Sequence, residues 1–184
     1  MNTSQPPPAT QRLILRPFVL EDAAEVQRLA GAWEVARMTL NVPHPYQNGM
    51  AESWIARQAE NQNTCNFAIV LRASSQLCGC VGLRFDDANA TAEMGYWIGV
   101  PFWNKGFCTE AASAVIDHGF STRDLHKVQA RHLGCNIASG CVMQKIGMTR
   151  EGTLRQHVLR HDEHHDLVCY GILRSEWERH RVLE

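Results

Sequence analysis

The sequence predicts an α/β (α+β) fold, a mixed sheet with helices on both faces. Two amphipathic helical stretches come early, a meander of alternating strands follows, and two strand-to-helix crossovers occupy the second half. At 184 residues and 45% hydrophobic content, the chain suits one domain with a sizeable core. Asn2 to Gln11 are polar and carry Pro6-Pro7-Pro8. Residues 1–10 therefore read as a disordered leader and residues 11–184 as a single domain.

Arg12-Leu13-Ile14-Leu15-Arg16 alternates as a short strand, which Pro17 ends because proline has no N–H to donate. Helical spacing follows in Ala23, Val26, Gln27 and Ala30, with Glu21 and Asp22 in the first turn where the dipole favours them. Asn41 to Gly49, with Pro43, Pro45 and Gly49, is a loop, and a second amphipathic helix runs through Trp54, Ile55 and Gln58. Strands at Asn66–Leu71 and Leu77–Phe85 flank the turn-like Ala73-Ser74-Ser75-Gln76. Asp86-Asp87-Ala88-Asn89 then turns the chain into a strand from Thr91 to Val100. From Gly106 to about Thr122, a helix puts Phe107, Ala111 and Val115 on one stripe beside Ala112, Ile116 and Phe120, a face wide enough to require a sheet against it. Lys127–Leu133 is a strand, and Asn136–Ile146 a helix that Gly147 closes as a left-handed cap. Met148–Leu159 and Asp166–Leu173 form a final hairpin, and a terminal helix starts at Ser175.

Composition narrows the function. A formal net charge of −1 argues against a broad electrostatic grip on nucleic acid. No apolar run approaches membrane-spanning length, and no charged start precedes an apolar signal core. The seven cysteines are odd in number and scattered; Cys65, Cys108, Cys141 and Cys169 sit in apolar runs. Cys78 and Cys80, as i and i+2 on a strand, are expected on one face. The pattern reads as a reducing cytoplasm with thiols serving as small core residues.

Chemistry concentrates in Trp97-Ile98-Gly99-Val100-Pro101-Phe102-Trp103-Asn104-Lys105-Gly106-Phe107-Cys108-Thr109-Glu110, where a strand enters a tight loop that opens onto a helix. The first amides of a helix have no internal partners and lie at the positive end of its dipole, so the junction suits a phosphate or pyrophosphate. Gly106 permits close backbone approach, and Lys105 adds a mobile positive charge. The spacing is neither that of a Walker loop nor that of the three-glycine dinucleotide fingerprint.

Several segments together resemble the GNAT acetyltransferase superfamily, in particular its RimJ/RimL-like branch. They are Leu13-Ile14-Leu15-Arg16-Pro17, Ala92-Glu93-Met94-Gly95-Tyr96-Trp97-Ile98, the loop from Trp103 to Ala111, Asn136-Ile137-Ala138-Ser139, Gln144-Lys145-Ile146-Gly147-Met148, Glu151-Gly152 and Asp166-Leu167-Val168-Cys169-Tyr170-Gly171. They stand in the family's order over nearly the whole chain. Two positions depart from it: Trp103 stands where the loop usually opens with Gln or Arg, and Cys108 where Gly or Ala closes it. The resemblance implies a mostly antiparallel sheet of about seven strands and acetyl transfer from acetyl-CoA, the cosubstrate, to a primary amine, without a metal. It implies that the pyrophosphate sits on amides of Trp103, Asn104, Lys105, Gly106, Phe107, Cys108 and Thr109. The strand carrying Glu93 is then expected to splay from that carrying Val128, with pantetheine between them pairing with Ile98, Gly99 and Val100. Asn136 is a candidate partner for the pantetheine arm or an ordered water, and an amide near Ile98 for the acetyl carbonyl.

Direct attack needs a neutral amine and a proton for the departing thiolate. Glu93 is the candidate base, acting through water, in surroundings whose apolar character is expected to raise its pKa. The alternative is a charge at the strand's solvated end. Ser139 is the candidate proton donor or thiolate partner; alternatively it serves only the first turn of its helix. Some relatives use a tyrosine in that role, and the matching position here has none. His161-Asp162-Glu163-His164-His165-Asp166 reads as a solvated hairpin tip rather than a metal site, with Asp166 either orienting the amine or tying down the hairpin. Cys108 as an acetyl-enzyme nucleophile is the minor reading.

The leading function is therefore N-acetylation of a protein N-terminus, such as that of a ribosomal protein, in a ternary complex. Alternatives are a small-molecule acceptor (a polyamine, an amino acid derivative or an antibiotic) and a non-catalytic CoA-binding module. The final hairpin and open strand edges leave a homodimer open.

Overall fold

The structure is a computed structural model that describes residues 7–8, 10–58 and 60–182. Most of the expected leader, residues 1–6 and Ala9, lies outside the described residues. Thr10 is fastened: its hydroxyl donates to Leu13 O and accepts from Leu13 N, each at 2.9 Å.

The strands are β1 (Leu13–Arg16), β2 (Thr64–Leu71), β3 (Leu77–Asp86), β4 (Thr91–Ile98), β5 (Lys127–Leu133), β6 (Thr149–Arg160) and β7 (Glu163–Leu173). They form one seven-stranded sheet in the order β1-β2-β3-β4-β5-β7-β6. Every neighbouring pair is antiparallel except β4 and β5. The helices are α1 (Ala23–Ala30), α2 (Trp33–Ala36), α3 (Met50–Gln58), α4 (Phe107–Thr122), α5 (Ile137–Lys145) and α6 (Arg174–Val182). The mixed, mostly antiparallel sheet matches the expectation; α2, a single turn, was not anticipated.

Helices cover both faces, each over its own core. On one, Ala111, Ala112, Val115, Ile116 and Phe120 of α4 meet Val81, Leu83, Ala92, Met94, Val128 and Ala130 of the sheet. Full burial of each large side chain contributes about 1.5–3 kcal/mol. Trp177 of α6 joins this face, stacking on Phe120 at 5.0 Å and donating its indole N–H to Asp117 at 2.6 Å. On the other, Ala23 and Val26 of α1 and Ala51 and Ile55 of α3 pack on Ala68, Val70 and Leu77. The helix ends follow local chemistry. Asn136 caps α5, and Gly147, with φ 82°, lets Met148 N return to Met143 O at 3.0 Å.

Two strand expectations are corrected. β7 starts at Glu163, so the hairpin tip shrinks to His161-Asp162, both at positive φ, and Asp166 lies within the strand. A bulge that skips Cys78 between the Ile69–Gly79 and Val70–Leu77 pairs places Cys78 and Cys80 on opposite faces. Cys78 joins the α4 core, whereas Cys80 lies near Tyr46 on the other side.

Gly119 shows how closely α4 sits. A Cβ there would lie 2.6 Å from Leu83 Cδ1, and Leu83 is fully buried. Gly119→Ala should therefore destabilise by about 1–3 kcal/mol despite alanine's better helix propensity. A lower urea midpoint at unchanged slope is the expected measurement, and an unchanged midpoint would refute it.

Candidate active site

The site begins with a register that stops. β4 and β5 pair from Thr91–Lys127 to Met94–Ala130 and no further, although β4 continues to Ile98 and β5 to Leu133. The expected splay is present. Gly99 N donates to Cys78 O at 2.9 Å, so Gly99 faces β3, and by alternation the polar groups of Tyr96 and Ile98 face the gap. One is already met: the Trp103 indole N–H donates to Ile98 O at 2.6 Å. Gly99 O and Val100 O accept from Phe102 N at 2.9 Å and Trp103 N at 3.2 Å, closing a 3-10 turn. Of the three residues expected to present backbone to pantetheine, Gly99 is turned to β3 by this alternation, while Ile98 and, after the extended Gly99 (φ −62°, ψ 143°), the N–H of Val100 fall on the gap side.

Each splayed strand leads into a helix whose N-terminus borders the gap. At α4, Asn104 and Gly106 take left-handed conformations, φ 60° and 76°. Gly106 is the N-cap, and no side chain caps the amides of Phe107, Cys108 and Thr109. Lys105 Nζ bends back to Pro101 O at 2.9 Å. A cation not anticipated at this loop is Arg12. Its guanidinium donates to Lys105 O at 3.0 Å and Glu110 Oε2 at 2.6 Å, and its backbone N donates to Glu110 Oε1 at 2.7 Å. Burial raises the Glu110 pKa, but these bonds outweigh it and hold the group below its ordinary value. Arg12 thus neutralises the one acidic residue in the first turn of α4. Residue 12 reads as a strand end, so only tertiary contact reveals it. Burial pushes the Cys108 thiol up to about 12, which disfavours the thiolate and agrees with a packing role beside the α4 core.

At α5, Asn136 Oδ1 accepts Ser139 N at 3.1 Å and Nδ2 donates to Met38 O at 2.9 Å. Its amide ties the helix start to the segment after α2. Ser139 Oγ lies 2.9 Å from the Tyr96 hydroxyl, which is also 3.1 Å from Ser139 O, so the phenol's one hydrogen has two acceptors within reach. A tyrosine is therefore present at the serine, contributed by β4.

Glu93 is not in apolar surroundings. Arg131 of β5 donates to Oε1 at 2.6 and 3.0 Å, and Arg84 of β3 to Oε2 at 2.5 Å. Burial raises the carboxyl's pKa, but the hydrogen bonds and charges of the two guanidiniums outweigh it and hold Glu93 below the usual range. The expected upward shift is overturned, because strand pairing delivers both arginines to the same face.

Asp166 Oδ1 accepts Gln156 N at 2.8 Å, holding the left-handed Gln156 where β6 slips register. With Arg155 and Gln156 it lines a cavity of about 540 Å³. His161 packs its ring edge against Trp33 at 4.6 Å, and Arg160 donates to Val42 O at 2.9 Å, so the hairpin tip leans on the α2 region. Among the described residues, no three His, Cys, Asp or Glu side chains converge as a metal requires, and no helix is long and apolar enough to cross a membrane.

Comparison with known proteins agrees with this geometry. The family model described as an acetyltransferase (GNAT) domain matches residues 12–149. YdaF of Bacillus subtilis, provisionally named a ribosomal N-acetyltransferase, is 31% identical over 170 residues, 90% of this chain and 91% of its own. A GNAT-family acetyltransferase from Bacillus anthracis superposes with a TM-score of 0.80 at 26% identity, over 91% of this chain and 98% of that one. The microcin C7 self-immunity acetyltransferase MccE, solved with acetyl-CoA and AMP, shares the fold at a TM-score of 0.79 and 21% identity, over 89% and 93% of the two chains. The chain belongs to the GNAT acetyltransferase family and is an acetyl-CoA-dependent N-acetyltransferase.

Proposed function

We propose that the acceptor is the N-terminal amine of a protein, with a ribosomal protein the leading class, and that it attacks acetyl-CoA directly in a ternary complex. The parted strands β4 and β5, with a helix N-terminus beyond each, carry the proposal. The name of YdaF supports the acceptor class. So does the charge at Glu93, which Arg84 and Arg131 neutralise; a polyamine prefers carboxylates left free. A homodimer, and a cytoplasmic setting suited to free thiols, belong to the same proposal.

In this scheme the pyrophosphate rests on the amides from Trp103 through Asn104, Lys105, Gly106, Phe107 and Cys108 to Thr109. The pantetheine follows the β4 edge at Ile98, with Gly99 and Val100 shaping the turn that bounds it and Asn136 on the far wall. The thioester carbonyl meets a backbone amide near Ile98, where negative charge develops. Ser139 donates a hydrogen bond to the departing thiolate. Glu93, ionised at neutral pH, takes the amine proton through water. Asp166 holds the hairpin that borders the acceptor rather than binding the amine itself.

Three outcomes are expected. At fixed acetyl-CoA, an alanine-led hexapeptide should outpace spermidine and kanamycin, with product mass identifying the acetylated amine. Faster turnover of either small amine would replace the acceptor class, and thioester loss with none of them would favour a non-catalytic CoA-binding module. For the peptide, kcat/KM should rise with pH and level off near about 8, the ordinary α-amino value; a rise continuing to about 10 would point to lysine-like amines. Glu93→Gln should lower kcat about 10- to 100-fold with coenzyme A affinity unchanged. An unchanged kcat would remove Glu93 from the mechanism. Because the folded-state pKa of Glu93 is lowered, its stabilisation is present above the unfolded value of about 4.3 and is lost as pH falls through the folded value. The same variant should therefore be destabilised at pH 7 but converge with the wild type in acid.

A further inference from the structure

Tyr96 has no part in the scheme above, yet its placement is specific. It lies two residues beyond Met94, the last β4 residue paired with β5, so its ring stands where the strands part. By alternation with Ala92 and Met94 it faces the core beneath α4 and α5. Its hydroxyl reaches both Ser139 Oγ, at 2.9 Å, and Ser139 O, at 3.1 Å. Asn136 Oδ1 holds Ser139 N at 3.1 Å from the other side. A half-buried serine in a first helical turn is thus gripped by two side chains from different elements.

A phenol has one hydrogen to give. Given to Ser139 O, it leaves the phenol oxygen as acceptor, and the serine hydrogen points back at the ring. Given to Ser139 Oγ, it leaves the serine hydrogen free to point into the gap. We infer that Tyr96 donates to Ser139 Oγ and thereby aims the serine hydrogen at the sulfur of acetyl-CoA as the thiolate departs. The inference rests on the acetyl-transfer scheme and on Ser139 meeting the thiolate. The step balances without a proton from either residue. The amine nitrogen bonds to the carbonyl carbon, the C–S bond breaks with its electron pair on sulfur, and the proton lost by nitrogen matches the one sulfur finally takes up. Ser139 and Tyr96 keep their own hydrogens. Burial, followed by the nearby Cys108, raises the Tyr96 pKa well above its ordinary value, which keeps the phenol a hydrogen-bond donor. Tyr96 is therefore a positioning residue. Without its hydroxyl, Ser139 turns back to a carbonyl of the preceding turn, as serines at helix starts do.

A double-mutant cycle tests this, using acetyl-CoA with whichever of the alanine-led hexapeptide, spermidine or kanamycin turns over fastest. Tyr96→Phe should lower kcat about 5- to 20-fold, leaving KM for acetyl-CoA and coenzyme A affinity by calorimetry within about twofold. Ser139→Ala, which keeps the tyrosine ring in place, should lower kcat at least as much, and the double variant should be no slower than Ser139→Ala alone. Multiplying losses in the double variant, or a Tyr96→Phe effect confined to KM or coenzyme A affinity, would overturn the assignment while leaving acetyl transfer intact. If the wild type binds no coenzyme A and turns over no amine, the scheme and the inference fall together.

Discussion

The early end of the β4–β5 ladder is the constraint on which the rest of the structure depends. Two parallel strands that part after Met94 and Ala130 leave backbone donors and acceptors of Tyr96 and Ile98 facing a gap. An unmet buried polar group costs about 1–3 kcal/mol, so a gap of this kind demands a partner shaped like a strand. The protein meets part of that demand itself. The Trp103 indole takes Ile98 O, and the Tyr96 phenol bridges to α5 across the opening. A pantetheine arm, with amides spaced along an extended chain, is chemically suited to the remainder.

The same parting organises the electrostatics. Because β4 and β5 are the parallel pair, α4 and α5 follow them on the same side and bring two helix N-termini to one crevice. A bound anion gains most where the adjacent turn carries no net negative charge. Glu110 would spoil that at α4, and Arg12, reaching in from the start of β1, cancels it. The start of the first strand is thus fastened to the loop before α4.

What the sequence made legible was whatever depends on local chemistry. The strand-loop-helix unit, Gly147 as a cap, and the stripe from Ala111 to Phe120 follow from backbone geometry and periodicity, and they stand where the pattern puts them. What it hid were side-chain partners set by register. Arg84 and Arg131 lie nine residues before and 38 residues after Glu93, and only the β3-β4-β5 order brings them to it. Tyr96 reads as a strand aromatic until α5 lands above it. The Cys78 bulge inverts a face that strict alternation assigns. The local geometry of the loop and helix starts was therefore readable, and the side-chain partners of Glu93 and Ser139 were not.

The guanidinium clamp on Glu93 bears in turn on the proposed acceptor. A carboxylate held below its ordinary value is a poor base for an α-ammonium near about 8. In the proposed scheme Glu93 takes a proton after attack has made the nitrogen acidic, so the amine arrives already neutral. At pH 7.4 roughly a quarter of α-amino groups are neutral, against about one in a thousand lysine-like amines. That difference, a factor of some hundreds, is set by the amines' own basicity and supports an α-amine in the proposed scheme. In the proposed reading, a chain terminus is thus favoured over a side-chain amine because Glu93, held ionised by the register that places Arg84 and Arg131, does not deprotonate the ammonium beforehand.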